Sequence, residues 1–194
     1  MTKKWLQARR GQLIAIGALT LCGSIEVSAQ AARQTGEGFE FRRKLAVIAN
    51  PFCAITTYVL TDFPEEASST NDAAKRPVIV IDASTFKSNR PYAQFLLAHE
   101  CCHHTLGHTR KATEQAKPLG PQPFYYLRPL LKTMELDADA CAVRTLKRVR
   151  EFDAIDSARN KMLEFGTSET GAYYPTGVER ADNIALIAAE RESD

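Results

Sequence analysis

The feature that most constrains this chain is His99-Glu100-Cys101-Cys102-His103, an H-E-x-x-H pattern. Residues four apart share one face of a helix, so on a helix His99 and His103 can reach a single ion. Two neutral imidazoles suit Zn²⁺, and Glu100, on the flank of that face, can take a proton from water held at such a centre. The flanking residues predict the helix. Ser88 or Asn89 can cap it, Pro91 suits its first turn and Gly107 is a stop. Tyr92, Leu96, His99 and His103 follow at steps of four, three and four, which lines them on one stripe.

Two histidines leave a tetrahedral catalytic centre one protein ligand short, with water in the remaining place. A metzincin would continue as H-E-x-x-H-x-x-G-x-x-H, but Leu106 and Thr109 occupy the positions that pattern needs. His108 is five residues past His103, about 140° round a helix, and joins the site only if the helix breaks. It and His104 read as exposed polar residues near a helix end. Glu135 is the better third ligand. It lies in Glu135-Leu136-Asp137-Ala138-Asp139, on a second predicted helix, and Asp139 is one turn on. An aspartate there can accept a hydrogen bond from the free ring nitrogen of a ligating histidine and so fix its tautomer. Read without the upstream histidines, the same stretch is a solvated acidic face.

HECCH followed by ELDAD resembles the H-E-x-x-H plus E-x-x-x-D arrangement of gluzincin peptidases of the HtpX and CaaX-prenyl-protease type. The apolar LLA before His99 fits that likeness. The stretch Tyr174-Pro175-Thr176-Gly177-Val178-Glu179-Arg180 is similar to the family's closing His-Pro-Ser…Glu-Arg segment, with Tyr174 where the family often has histidine. The likeness spans roughly residues 45–190. It implies an α+β, mainly helical zincin-like metalloprotease domain with a small sheet, and one zinc held between two helices by His99, His103 and Glu135. Glu100 is then the general base of a zinc endopeptidase and Asp139 supports a ligand. Tyr173, Tyr174 and Arg180 are candidates to stabilise the negative charge on the attacked carbonyl oxygen. Their other readings are aromatic packing at a turn and, for Arg180, an ion pair with a helix. A protein or peptide is the expected partner. The alternative is a non-catalytic zinc-binding or chaperone-like cell-envelope factor with the same fold.

Charge bears on location. Within residues 1–29, Lys3, Lys4, Arg9 and Arg10 face only Glu26, leaving 21 of the 25 basic and 22 of the 23 acidic residues for the remainder. That balance offers no basic surface for nucleic acid. A basic start, an apolar run over Leu13 to Ile25 and Val27-Ser28-Ala29 form the three regions of a secretory signal peptide. The run is shorter than the ~20 residues a membrane span needs. An uncleaved anchor, a lipoprotein signal at Cys22 and twin-arginine export through Arg9-Arg10 are the other readings. The expected organisation is a signal peptide at 1–29, a lead-in at 30–44 and the metallopeptidase domain at 45–194. The mature protein is expected to be periplasmic or secreted.

Other elements follow from local pattern. A helix is expected over Phe39 to Ile48, strands over Cys53 to Leu60 and Pro77 to Asp82, and a surface loop over Pro64 to Arg76. The second of these strands, at residues 78–81, is read either as a buried core strand or as an edge that receives an extended peptide. Residues 117–123 form a loop, and 109–123 is long enough to cover the site. Helices are expected from about Arg128 to Arg150, Phe152 to Phe165 and Val178 to Arg191. Loss of residues 1–29 leaves Cys53, Cys101, Cys102 and Cys141. A bridge from Cys101 or Cys102 to Cys141 would tie the two ligand-bearing helices together; buried free thiols are the other reading.

Overall fold

The computed structural model describes residues 46–119 and 123–191. The expected signal peptide, the lead-in and most of the expected helix at Phe39 to Ile48 lie outside the described residues. Its last three residues are a strand, β1 (Ala46–Ile48). Three more strands complete one sheet: β2 (Thr56–Leu60), β3 (Ala67–Asn71) and β4 (Pro77–Asp82). Their order is β1-β2-β4-β3, with β2 and β4 parallel and both outer pairings antiparallel.

β4 is an interior strand. Val78, Ile79, Val80 and Ile81 are all buried, which is why its apolar run is continuous rather than alternating. The edge on its side of the sheet is β3, Ala-Ser-Ser-Thr-Asn, within the stretch expected to be a surface loop, and β1 is the other edge. Small polar residues carry little strand propensity, and the antiparallel ladder to β4 decides the matter.

Among the described residues, five longer helices and two short ones carry the rest. Helix α1 (Ala83–Ser88) follows β4 directly, and its N-terminal amides at Ser84 and Thr85 donate to the Asp82 carboxylate. Helix α2 (Arg90–Thr105) holds the H-E-x-x-H pattern. The Asn89 side chain accepts from Tyr92 N, Pro91 sits in the first turn, and Leu106 ends the helix. Every residue from Phe95 to Cys102 is buried, so α2 is a central helix enclosed on all sides and not a one-stripe surface helix. It packs on β3 and β4, on α5 (Arg128–Arg148) and on α6 (Phe152–Phe165). Helix α3 (His108–Ala116), a 3₁₀ turn at Lys117–Leu119 and α4 (Pro123–Tyr126) connect α2 to α5. Much of the expected covering loop at 109–123 is therefore helical. Helix α7 (Gly177–Ala189) starts in a capping box between Thr176 and Glu179 and packs on α5 and α6. A Cβ on Gly177 would stand 2.1 Å from the Met162 carbonyl oxygen of α6, so only glycine admits that approach.

Adjacent cysteines fasten α2 on two sides. Cys101 is bridged to Cys53, ahead of β2, and Cys102 to Cys141 on α5. Neighbours on a helix point about 100° apart, so one bridge reaches the sheet side and the other the partner helix. The bridge from Cys102 to Cys141 is the expected tie between ligand-bearing helices, and no described cysteine is a free thiol. Each bridge closes a loop of some forty residues (separations 48 and 39) and restricts the unfolded chain accordingly. Replacing both Cys102 and Cys141 by alanine should lower the free energy of unfolding in urea by about 2–5 kcal/mol; an unchanged midpoint would contradict that.

Candidate metal centre

The site forms where α2 crosses α5. Helical spacing puts His99 and His103 one turn apart on α2, and Glu135 and Asp139 one turn apart on α5, with the two pairs facing. The Nε2 atoms of His99 and His103 stand 2.9 Å apart. Glu135 Oε2 is 3.4 Å from His99 Nε2, and Oε1 is 3.3 Å from His103 Nε2. Ligands round a tetrahedral ion with bonds of roughly 2.0–2.1 Å stand about 3.3–3.4 Å from one another. The two carboxylate–imidazole separations therefore match ligand spacing, the imidazole pair is a few tenths of an ångström tighter, and the group as a whole is largely buried. His99, His103 and Glu135 can hold a metal ion.

Charge supports the same fit. Glu100, Glu135 and Asp139 are buried carboxylates, and one buried guanidinium, Arg180, answers them. An isolated buried charge is costly, and two formal negatives in excess suit a divalent cation. In the metal-free chain, His99 takes part of that role. Burial pulls its pKa down, but Asp139 and Glu135, through hydrogen bonding and charge, overcome this and raise it to about 10. Burial opposes ionisation of Glu135 too, yet the two histidines hold it well below the ordinary carboxylate range.

Asp139 stands behind His99. Its Oδ1 is 2.9 Å from His99 Nδ1, a hydrogen-bonding separation, although the ring N–H lies off the line to the oxygen. Arg180 grips the other side of Asp139 with two bonds, Nε to Oδ2 at 2.8 Å and Nη2 to Oδ1 at 2.6 Å. Its Nη1 donates to Thr170 Oγ1 at 3.3 Å and lies 3.6 Å from Glu135 Oε2. Arg180 is thus the ion pair with a helix. Burial raises Asp139, but Arg180 first and His99 second bring it below its usual value.

No protein-family model, curated protein or solved structure matches the chain.

Glu100, on the flank of the ligand face, is buried. Its charge reaches two neighbours. The half-buried Tyr174 hydroxyl is pushed up by burial first, then by Glu135 and Glu100, so it stays protonated. The Glu65 carboxyl, just before β3, is raised by burial and by the same two glutamates, against a hydrogen bond from Ser68. Tyr173 takes the packing role: its backbone is left-handed at φ 69° and its ring meets Tyr125 edge-on at 6.3 Å.

Three participants escaped the sequence reading. Glu66 Oε2 accepts from Tyr92 OH at 2.7 Å. His104 is not a free polar residue: its Nε2 lies 3.0 Å from the Val78 carbonyl oxygen. His108 is not exposed either. The helix breaks at Leu106, Gly107 adopts φ +70°, and His108 turns back into the protein at 7% exposure, with Nδ1 3.2 Å from His103 Nδ1. Burial and the adjacent His103 push it down to about 4. The signal was Gly107 immediately before His108.

The His99 shift sets a pH dependence. A group raised from 6.5 to about 10 on folding contributes stability that is complete below 6.5 and lost as the pH climbs through 10. A cation must also displace that proton. Calorimetric titration with Zn²⁺ at pH 8 in buffers of different ionisation enthalpy should therefore show proton release, and affinity should rise with pH between 6.5 and 10. Substituting His99, His103 or Glu135 by alanine should abolish stoichiometric uptake, measured by elemental analysis after dialysis.

Proposed function

We propose that this chain is a zinc-dependent endopeptidase of the gluzincin kind, with His99, His103 and Glu135 as metal ligands and Glu100 as general base. Two imidazoles and one carboxylate, leaving a position for water, are the donor set that catalytic zinc takes. The observation that carries the reading is Glu100, a buried carboxylate one residue from His99 and outside the ligand set. A purely structural centre has no use for a base at that place.

When bound, the ion supplies a Lewis acid that polarises a water molecule and the scissile carbonyl. Glu100 accepts the proton as the water oxygen adds to the carbonyl carbon. It returns that proton to the nitrogen as the C–N bond breaks. To Tyr174, kept protonated by burial and by the charge of Glu135 and Glu100, we assign the donation to the oxygen on which negative charge grows. Asp139 orients His99, and Arg180 orients Asp139. An extended peptide can align along β3, the sheet edge that packs beside α2.

We infer an exported location as well. Two disulfides persist in an oxidising compartment, and no helix among the described residues is long and apolar enough to cross a membrane. That inference agrees with the signal-peptide pattern at residues 1–29.

The deciding experiment compares the wild-type protein with Glu100→Gln, measuring bound zinc and cleavage of an unfolded protein in both. Zinc content should stay equal while the rate falls about 10²–10⁴-fold, the usual contribution of a positioned base. Equal cleavage by the two proteins would refute the role of Glu100. Zinc bound with no cleavage by either would favour the non-catalytic alternative.

A further inference from the structure

We propose that His108 is the positioning residue for the metal ligand His103: its Nδ1 accepts the Nδ1–H of His103 and so keeps the His103 Nε2 lone pair turned to the ion. The proposal rests on metal binding at this site, not on peptidase activity.

The Nε2 edge of His103 faces His99 Nε2 and Glu135, which is the side an ion would occupy. A neutral imidazole that lends Nε2 must carry its proton on Nδ1. That proton needs an acceptor, because the site is buried. His99 has Asp139 for the equivalent purpose. For His103 the partner at hydrogen-bonding distance is His108 Nδ1, at 3.2 Å. The two Nδ1 edges approach each other with the ring planes turned 73° apart and the centroids 5.2 Å apart. An N–H in the plane of one ring can then reach the in-plane lone pair of the other.

Helix α3 reads His-Thr-Arg-Lys-Ala-Thr-Glu-Gln-Ala, and His108 is its one buried residue. No apolar face draws the helix inward. Gly107 in the left-handed region makes the reversal that returns His108 to the end of α2. A neutral imidazole also suits the charge of the site. The carboxylates already exceed the guanidinium by two, and an aspartate here would add a third negative that one divalent ion does not balance.

The test uses the full mature chain with zinc as the probe. In zinc-loaded protein carrying ¹⁵N-histidine, a through-hydrogen-bond ¹⁵N–¹⁵N coupling should join His103 Nδ1 to His108 Nδ1. In competition with a chromophoric chelator, His108→Leu should bind zinc about 10–100-fold more weakly. His108→Asn, which keeps an acceptor oxygen near the lost Nδ1, should recover most of the affinity. His104→Ala, at the same helix end but bonded to the sheet, should bind as the wild type does. A missing coupling in the wild-type protein overturns the proposal even if His108→Leu fails to fold. Wild-type affinity in a folded His108→Leu overturns it alone and leaves the metal site standing. A wild-type chain that takes up no divalent metal ends the metal reading and this proposal together.

Discussion

Everything about this fold turns on the contact between α2 and α5, because that contact buries ionisable groups that only work as a set. Removing one member of such a group leaves the others as uncompensated charges, which is costly in a desolvated interior. The arrangement is reciprocal. Arg180 comes from α7, grips Asp139 on α5, and through it reaches His99 on α2. Three helices that are distant in sequence are therefore aligned by one line of polar contacts. The apolar core alongside, with Phe95, Leu146, Met162 and Ile184, supplies bulk burial but no such specificity of register.

Position along α2 is controlled at both ends and in the middle. Asn89 sets the start, and Gly107 with its positive φ sets the stop. Between the two histidines, the two variable positions of H-E-x-x-H are both cysteines, and each is bonded to a different neighbour. The two intervening residues thus fasten the stretch of helix that presents His99 and His103. A ligand set of this kind tolerates displacements of only a few tenths of an ångström, so restraint next to the ligands matters more than restraint elsewhere.

The parts legible in the sequence are those governed by short-range spacing. His99, His103, Glu135 and Asp139 were readable because a period of 3.6 residues converts separation directly into a shared face. The helices at Arg128–Arg148 and Phe152–Phe165, and the cap at Asn89, follow from equally local rules. The pairing of Cys102 with Cys141 was readable as one option, because the two ligand-bearing helices had to meet. What was not legible depends on partners far along the chain. β3 looks like a loop until β4 is beside it, and Pro77 to Asp82 can be an edge or an interior strand until β3 is in place. The burial of α2 on every side follows from what surrounds it, which no periodicity in α2 itself announces.

His108 shows where a spacing argument stops. On a continuous helix, five residues past His103 is the wrong face, and the conclusion that it stands apart from the site is correct under that premise. One left-handed glycine removes the premise. A single backbone dihedral of +70° at Gly107 converts an outward residue into one that touches His103. In this protein the glycine before His108 is not merely the end of a helix. It determines which side chain lies against the Nδ1 of His103. Helix periodicity reads faces only between breakers, and each breaker must be followed by asking which residue it turns back.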